Sequence, residues 1–192
     1  LIEKGNTKVR LIYNTNLTEL KFKRESVLNL WKHFPNVCVA ASLDDMGERA
    51  AIIRSGTNWK KVEQNIRDLK RECPHIDFMI SPTLSMMNIW NFTKFHHYMV
   101  EQGFIEAKDF NVNILQGPDV YRIDILPLPI KERLKADFEQ HLEWLRTVDP
   151  LNRATGGFEA AIKFMMETDW LFQEPIDLEH KQYVLLDYDV PT

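Results

Sequence analysis

The chain has 192 residues, of which 44% are hydrophobic and 27% charged, and a formal net charge of -4. A chain of that length suits a domain that hides roughly 70% of its unfolded surface, and its acidic balance offers no basic face for nucleic acid. No apolar run approaches the roughly 20 residues that span a bilayer, so no membrane partner is expected; with no signal-peptide pattern at the start, a cytoplasmic setting is the simplest expectation.

The opening segment Leu1-Ile2-Glu3-Lys4-Gly5-Asn6 reads as the last turn of a helix closed by a glycine, which implies a piece of something longer. Four apolar, β-branched-rich runs follow as strand candidates: Val9 to Tyr13, Val37 to Ala41, Asp77 to Ser81 and Asn111 to Leu115. Helical patterns separate them, and strands alternating with helices imply parallel pairing through right-handed crossovers. The first such helix, Glu25 to Phe34, turns Leu28, Trp31 and Phe34 inward and ends before Pro35. The clearest one repeats Trp59, Val62, Ile66, Leu69 and Cys73 at helical spacing after a cap at Thr57 or Asn58. A third, from about Phe92 to Gln102, stops at Gly103.

Beyond the fourth run, Pro127 and Pro129 punctuate the chain and a long amphipathic helix carries Leu134, Phe138, His141, Leu142 and Leu145 on one side. A last helix is expected from about Phe158 to Leu171, then an acidic, aromatic tail from Pro175 to Thr192 with a terminal strand Tyr183 to Leu186. The resulting organisation is a β/α unit over residues 1–130 with a helical extension over residues 131–192. Cys38 and Cys73 fall in an apolar strand and on a helix, where buried free thiols are expected rather than a disulfide.

Parallel strands place their carboxyl ends on one rim. Asn14, Thr15 and Asn16 follow the first run; Ser42, Asp44 and Asp45 the second; Ser81, Thr83, Ser85 and Asn88 the third; Gln116 and Asp119 the fourth. Any one of these clusters is explained by turn formation alone, but four in succession suit a polar organic ligand. Arg54, with its planar fork, is placed to grip a carboxylate. No H-E-x-x-H or C-x-x-C occurs, and adjacent His96 and His97 face different sides of a helix, so no metal site is expected from the histidines.

At these residues the chain resembles the radical S-adenosylmethionine enzymes, in particular the group with a shortened auxiliary region called the twitch subdomain. Leu11-Ile12-Tyr13-Asn14-Thr15-Asn16 looks like the family's third barrel strand, which ends in Thr-Asn-Gly, with Leu17 in place of the glycine. Ser42-Leu43-Asp44-Asp45 looks like its Ser-Leu-Asp-Gly after strand four, again without the glycine. Arg54, Gly56, Trp59, Val62, Asn65 and Ile66 fit its Arg-x-Gly…Phe-x-x-Val-x-x-Asn-Ile pattern. Asp77 to Thr83 would be strand five and Asn111 to Gln116 strand six, and the similarity extends from Leu1 to about Leu126.

The resemblance implies an α/β fold, strands three to six of a half-open, six-stranded TIM-type (β/α) barrel, followed by C-terminal helices. It implies S-adenosylmethionine as cofactor, with Ser42 at its ribose and Arg54 at its carboxylate, and with Asn16, Asp44, Thr83 and Gln116 lining the same rim. The family's C-x-x-x-C-x-x-C segment, which holds a four-iron, four-sulfur cluster, does not occur in this sequence, nor does its Gly-Gly-Glu-Pro. Both would belong to a missing N-terminal half of the barrel. The substrate, a peptide or a small molecule, is not legible. Two alternatives remain open: a cluster-free β/α binding or scaffold module for a peptide or small metabolite, and a β/α enzyme using Asp44 and Asp45 as an acid pair.

Overall fold

The computed structural model describes residues 1–167. Expectations for the tail beyond them, including the strand Tyr183 to Leu186, lie outside the described residues. The chain opens with a single 3-10 turn, Ile2–Lys4, closed by Gly5 in the left-handed region at φ 66°. Strand β1 (Leu11–Thr15) leads into a two-residue hairpin, β2 (Lys21–Phe22) and β3 (Glu25–Ser26), and a short helix α1 (Val27–Trp31). Strand β4 (Val37–Ala41) is buried at all five positions, as an uninterrupted apolar run should be when both faces of its sheet are covered. Helix α2 (Gly47–Ile53) and helix α3 (Trp59–Glu72) follow, then strand β5 (Asp77–Ile80) and strand β6 (Thr83–Leu84). Helix α4 (Phe92–Glu101), strand β7 (Asn113–Ile114), and helices α5 (Leu128–Val148) and α6 (Thr155–Met166) complete the described chain.

The fold is mixed α/β around a small open parallel sheet. β1, β4 and β5 lie in that order, with Leu11 opposite Val37 and Cys38 opposite Asp77. Between β5 and β6 stands Pro82, which has no N–H to give a ladder. Up to Ser81, whose N–H donates to Ala41 O at 2.8 Å, this line pairs with β4. On its other side it accepts bonds from Asn111, Asn113 and Leu115, and β6 pairs in parallel with β7. Four chain segments therefore run side by side in one direction, and their carboxyl ends share a rim.

α3 forms as its periodicity predicts: Asn58 Oδ1 caps it by accepting from Lys61 N–H at 3.2 Å, while Val62, Ile66 and Leu69 are buried. At the far side, Phe92, Phe110, Phe138 and Phe158 bring α4, α5 and α6 together; Phe92 stacks on Phe138 with ring centres 6.4 Å apart. Several boundaries differ from the expected ones. β1 begins at Leu11 rather than Val9, and α1 covers only part of Glu25 to Phe34. The fourth run supplies only the two residues of β7 as strand. Helix α2 and the β2–β3 hairpin have no counterpart in the predicted elements. No described helix is long and apolar enough to cross a membrane.

Candidate functional site

The rim is organised by the carboxyl end of β4. Past Ala41 the chain leaves the ladder, with Ser42 N–H donating to Thr15 O at 2.7 Å, and delivers Asp44 and Asp45 into buried positions. A buried carboxylate needs partners for both oxygens. Asp44 Oδ1 accepts from the backbone N–H of Thr83 at 2.7 Å, and Oδ2 accepts from Arg54 Nε at 2.6 Å. Arg54 sits where α2 ends; its own N–H donates to Ala50 O at 2.9 Å, and its extended backbone turns the side chain out of the helix. The pair is asymmetric: the Asp44 side chain is 8% exposed and that of Arg54 38%.

Asp45 has a separate set of partners. Its Oδ1 accepts from Met46 N–H at 2.8 Å and from Asn91 Nδ2, and its Oδ2 accepts from Arg49 Nε at 2.8 Å. Arg49 also donates to Met87 O at 3.1 Å. The two neighbouring carboxylates thus face different partners, as alternate residues leaving a strand do, which does not favour an acid pair.

Asn88 joins the loops beneath this arrangement. It is wholly buried, and its Nδ2 donates to Asp44 O at 2.8 Å and to Thr83 O at 2.9 Å, while its Oδ1 accepts from Ser85 N–H at 2.8 Å. Above it opens a cavity of about 490 Å³ whose walls include Asp44, Arg54, Thr83, Ser85, Ile53 and Tyr121. That size lies within the range of small-molecule sites, roughly 300 to 1,000 Å³.

Of the expected site residues, the structure brings Asp44, Arg54 and Thr83 into direct contact. Ser42 is half-buried at the end of β4, beside β1. Asn16 is exposed and turns onto its own loop, where its Oδ1 accepts from Thr18 N–H and Oγ1 at 3.2 and 2.8 Å. Gln116 is likewise exposed and donates to Ile114 O at 3.2 Å. The residues that sequence reasoning undervalued are Asn88, Arg49 and Asn91. Only the Asp45–Arg49 spacing, one helical turn, carries a signal for its pairing.

A second buried polar system lies away from the rim. His96 Nε2 meets Ala107 O at 3.0 Å, His96 Nδ1 meets His141 Nε2 at 3.0 Å, and His141 Nδ1 meets His97 Nε2 at 3.1 Å. A carbonyl only accepts, so His96 Nε2 carries its proton, and neutral rings then require Nε2–H donors on His141 and His97 in turn. Burial depresses the pKa of His96 to about 3 and of His141 to about 2, and holds that of His97 below its ordinary value. Among the described residues no three His, Cys, Asp or Glu side chains group as ligands for a metal ion. Cys38 and Cys73 are buried free thiols whose pKa burial raises. In comparisons with known proteins, no family model and no curated protein matches the chain.

Proposed function

We propose that this chain forms the S-adenosylmethionine-binding rim of a radical S-adenosylmethionine enzyme acting on a peptide or small molecule. The observation that carries the reading is the posture of Arg54. Asp44 engages only its Nε, and its two terminal nitrogens have no hydrogen-bond partner among the described residues while the side chain lines the cavity. An arginine anchored at one nitrogen and free at the fork is suited to a carboxylate, which the cofactor's methionine part carries. Ser42, at the end of the neighbouring strand, is assigned to the ribose.

Three positions of the family pattern have local reasons here. Leu17, where the family has glycine, takes the left-handed conformation at φ 54°, and Gly56 adopts φ 86°, which favours glycine. Asn65 donates to Leu17 O at 2.6 Å, tying the first strand's exit to α3. The four parallel segments with a common rim agree with a partial barrel, strands three to six. Bound at such a rim, the cofactor would supply a 5′-deoxyadenosyl radical on reductive cleavage, the electron coming from a 4Fe–4S cluster. Cys38 and Cys73 do not suit that cluster: both are buried, and Cys73 Sγ donates to Leu28 O at 3.4 Å. This chain's own part is to bind and orient.

Calorimetric titration with S-adenosylmethionine tests the reading. Loss of the Arg54 side chain in Arg54→Ala is expected to weaken binding about ten-fold or more, the scale of a charge-assisted bond. Equal affinity for the two proteins would overturn the assignment.

A further inference from the structure

We infer that Asn88 is the positioning residue for Arg54, an inference that rests on the cofactor reading above. The main-chain ladder between β4 and the next line ends at Ser81 N–H to Ala41 O: past Ala41 the chain turns away, with Leu43 N–H going to Ala41 O, and Thr83 N–H, the next donor on that side, goes to a side chain, Asp44 Oδ1. Beyond that rung no backbone bond sets the distance between Asp44 and Thr83. The side chain of Asn88 supplies the missing rung: its one amide nitrogen donates to both Asp44 O and Thr83 O, at 2.8 and 2.9 Å. That distance in turn lets Thr83 N–H reach Asp44 Oδ1 at 2.7 Å, and this bond orients the carboxylate whose Oδ2 holds Arg54 Nε at 2.6 Å.

Asn88 has the inventory for the task and nothing to spare. Both amide protons are used on the two strand exits, and Oδ1 is taken by Ser85 N–H at 2.8 Å and Ser85 Oγ at 3.4 Å. With no exposure to solvent, it touches no ligand itself and acts only through Asp44. Aspartate would keep the shape but place a carboxylate oxygen against two carbonyls; serine can reach at most one of them.

The test couples two measurements on the full chain with Asn88→Ser and Asn88→Ala. In ligand-free protein, the bond to Asp44 is expected to hold the Arg54 Nε–H resonance downfield and slow its exchange, and in both variants the resonance is expected to shift and exchange rapidly. In titrations with S-adenosylmethionine, each variant is expected to lose about ten-fold in affinity beside Arg54, and less than two-fold in the Arg54→Ala background, the signature of coupling through that residue. Equal losses in both backgrounds, or an unmoved Arg54 signal, would overturn the inference by making Asn88 a general support of the fold. Unfolding of both variants while Arg54→Ala stays folded overturns it for the same reason. If wild type fails to bind S-adenosylmethionine, the cofactor reading falls alone, and the Arg54 resonance decides the role of Asn88.

Discussion

Asn65 donates a 2.6 Å hydrogen bond to the carbonyl of Leu17, a residue 48 positions earlier whose backbone is left-handed. Both are buried, so the carbonyl has no water to fall back on. Asn65→Ala is expected to lower unfolding free energy by about 2 kcal/mol through that orphaned acceptor. Leu17→Gly sets two effects against each other: relief of about 1 kcal/mol of left-handed strain, and loss of a fully buried side chain, about 3 kcal/mol. Burial wins, so this variant too is expected to be less stable in urea titration, despite glycine being the better residue for the backbone.

Removing Arg54 leaves Asp44 buried with only the Thr83 N–H for its charge. Arg54→Ala is expected to cost about 1–2 kcal/mol, the half-exposed arginine limiting the effect. Asp44→Asn turns an amide toward Arg54 and should cost a similar amount. The double variant should lose less than the sum, and a double-mutant cycle of denaturation midpoints measures the difference. Strict additivity would show that the ion pair contributes nothing to the fold.

The chain His97–His141–His96 makes stability depend on pH in a stated direction. In the unfolded chain these rings titrate near 6.5, whereas burial holds His96 near 3 and His141 near 2. Between those limits the unfolded state binds more protons, so stability is complete above about pH 7 and falls as pH drops from 6.5 toward 3, by at most about 1.4 kcal/mol per pH unit for each ring. His97 is the outer member; Glu101 opposes its depressed pKa. Its Nδ1 can take a first proton without reversing a bond, but a proton on His141 Nδ1 would set two donors facing. His141→Gln offers a donor and an acceptor in the same order and is expected to flatten the profile in urea midpoints at pH 7.5 and 5.0.

Two adjacent glycines in α6 should respond with opposite signs. A Cβ on Gly157 would lie 2.9 Å from Val112 Cβ, while one on Gly156 meets nothing within 4 Å. Gly157→Ala is expected to destabilise by about 1–3 kcal/mol, because α6 must move off Val112, the residue before β7. Gly156→Ala should stabilise by about 0.5–1 kcal/mol through helix propensity. Thermal midpoints of the two variants decide it.

Legibility in the sequence followed the physics of each element. β4 was readable because a strand covered on both faces is apolar at every position, and α3 because one face repeats with the helical turn. α2 was not, being seven residues that begin at Gly47 with φ 60°. Nor was the β2–β3 hairpin, whose turn places Lys23 rather than glycine or asparagine at φ 55°. At the rim, the sequence located Asp44, Arg54 and Thr83 but not their geometry. Asn16 and Gln116 turned to backbone groups two residues away, a choice that asparagine often makes and that no spacing reveals for either. His141 lies 44 and 45 positions from its partners, beyond any local pattern.

β1 bonds to β4 through Leu11 N–H at one end and Thr15 O at the other, so by the alternation of a parallel ladder Leu11, Tyr13 and Thr15 turn both backbone groups toward β4. Ile12 and Asn14 turn theirs the other way, toward an edge without a neighbour among the described residues. The strand is therefore two-faced toward proline: at Tyr13 it would cut a rung, whereas at Ile12 it would remove a donor that no rung uses among the described residues.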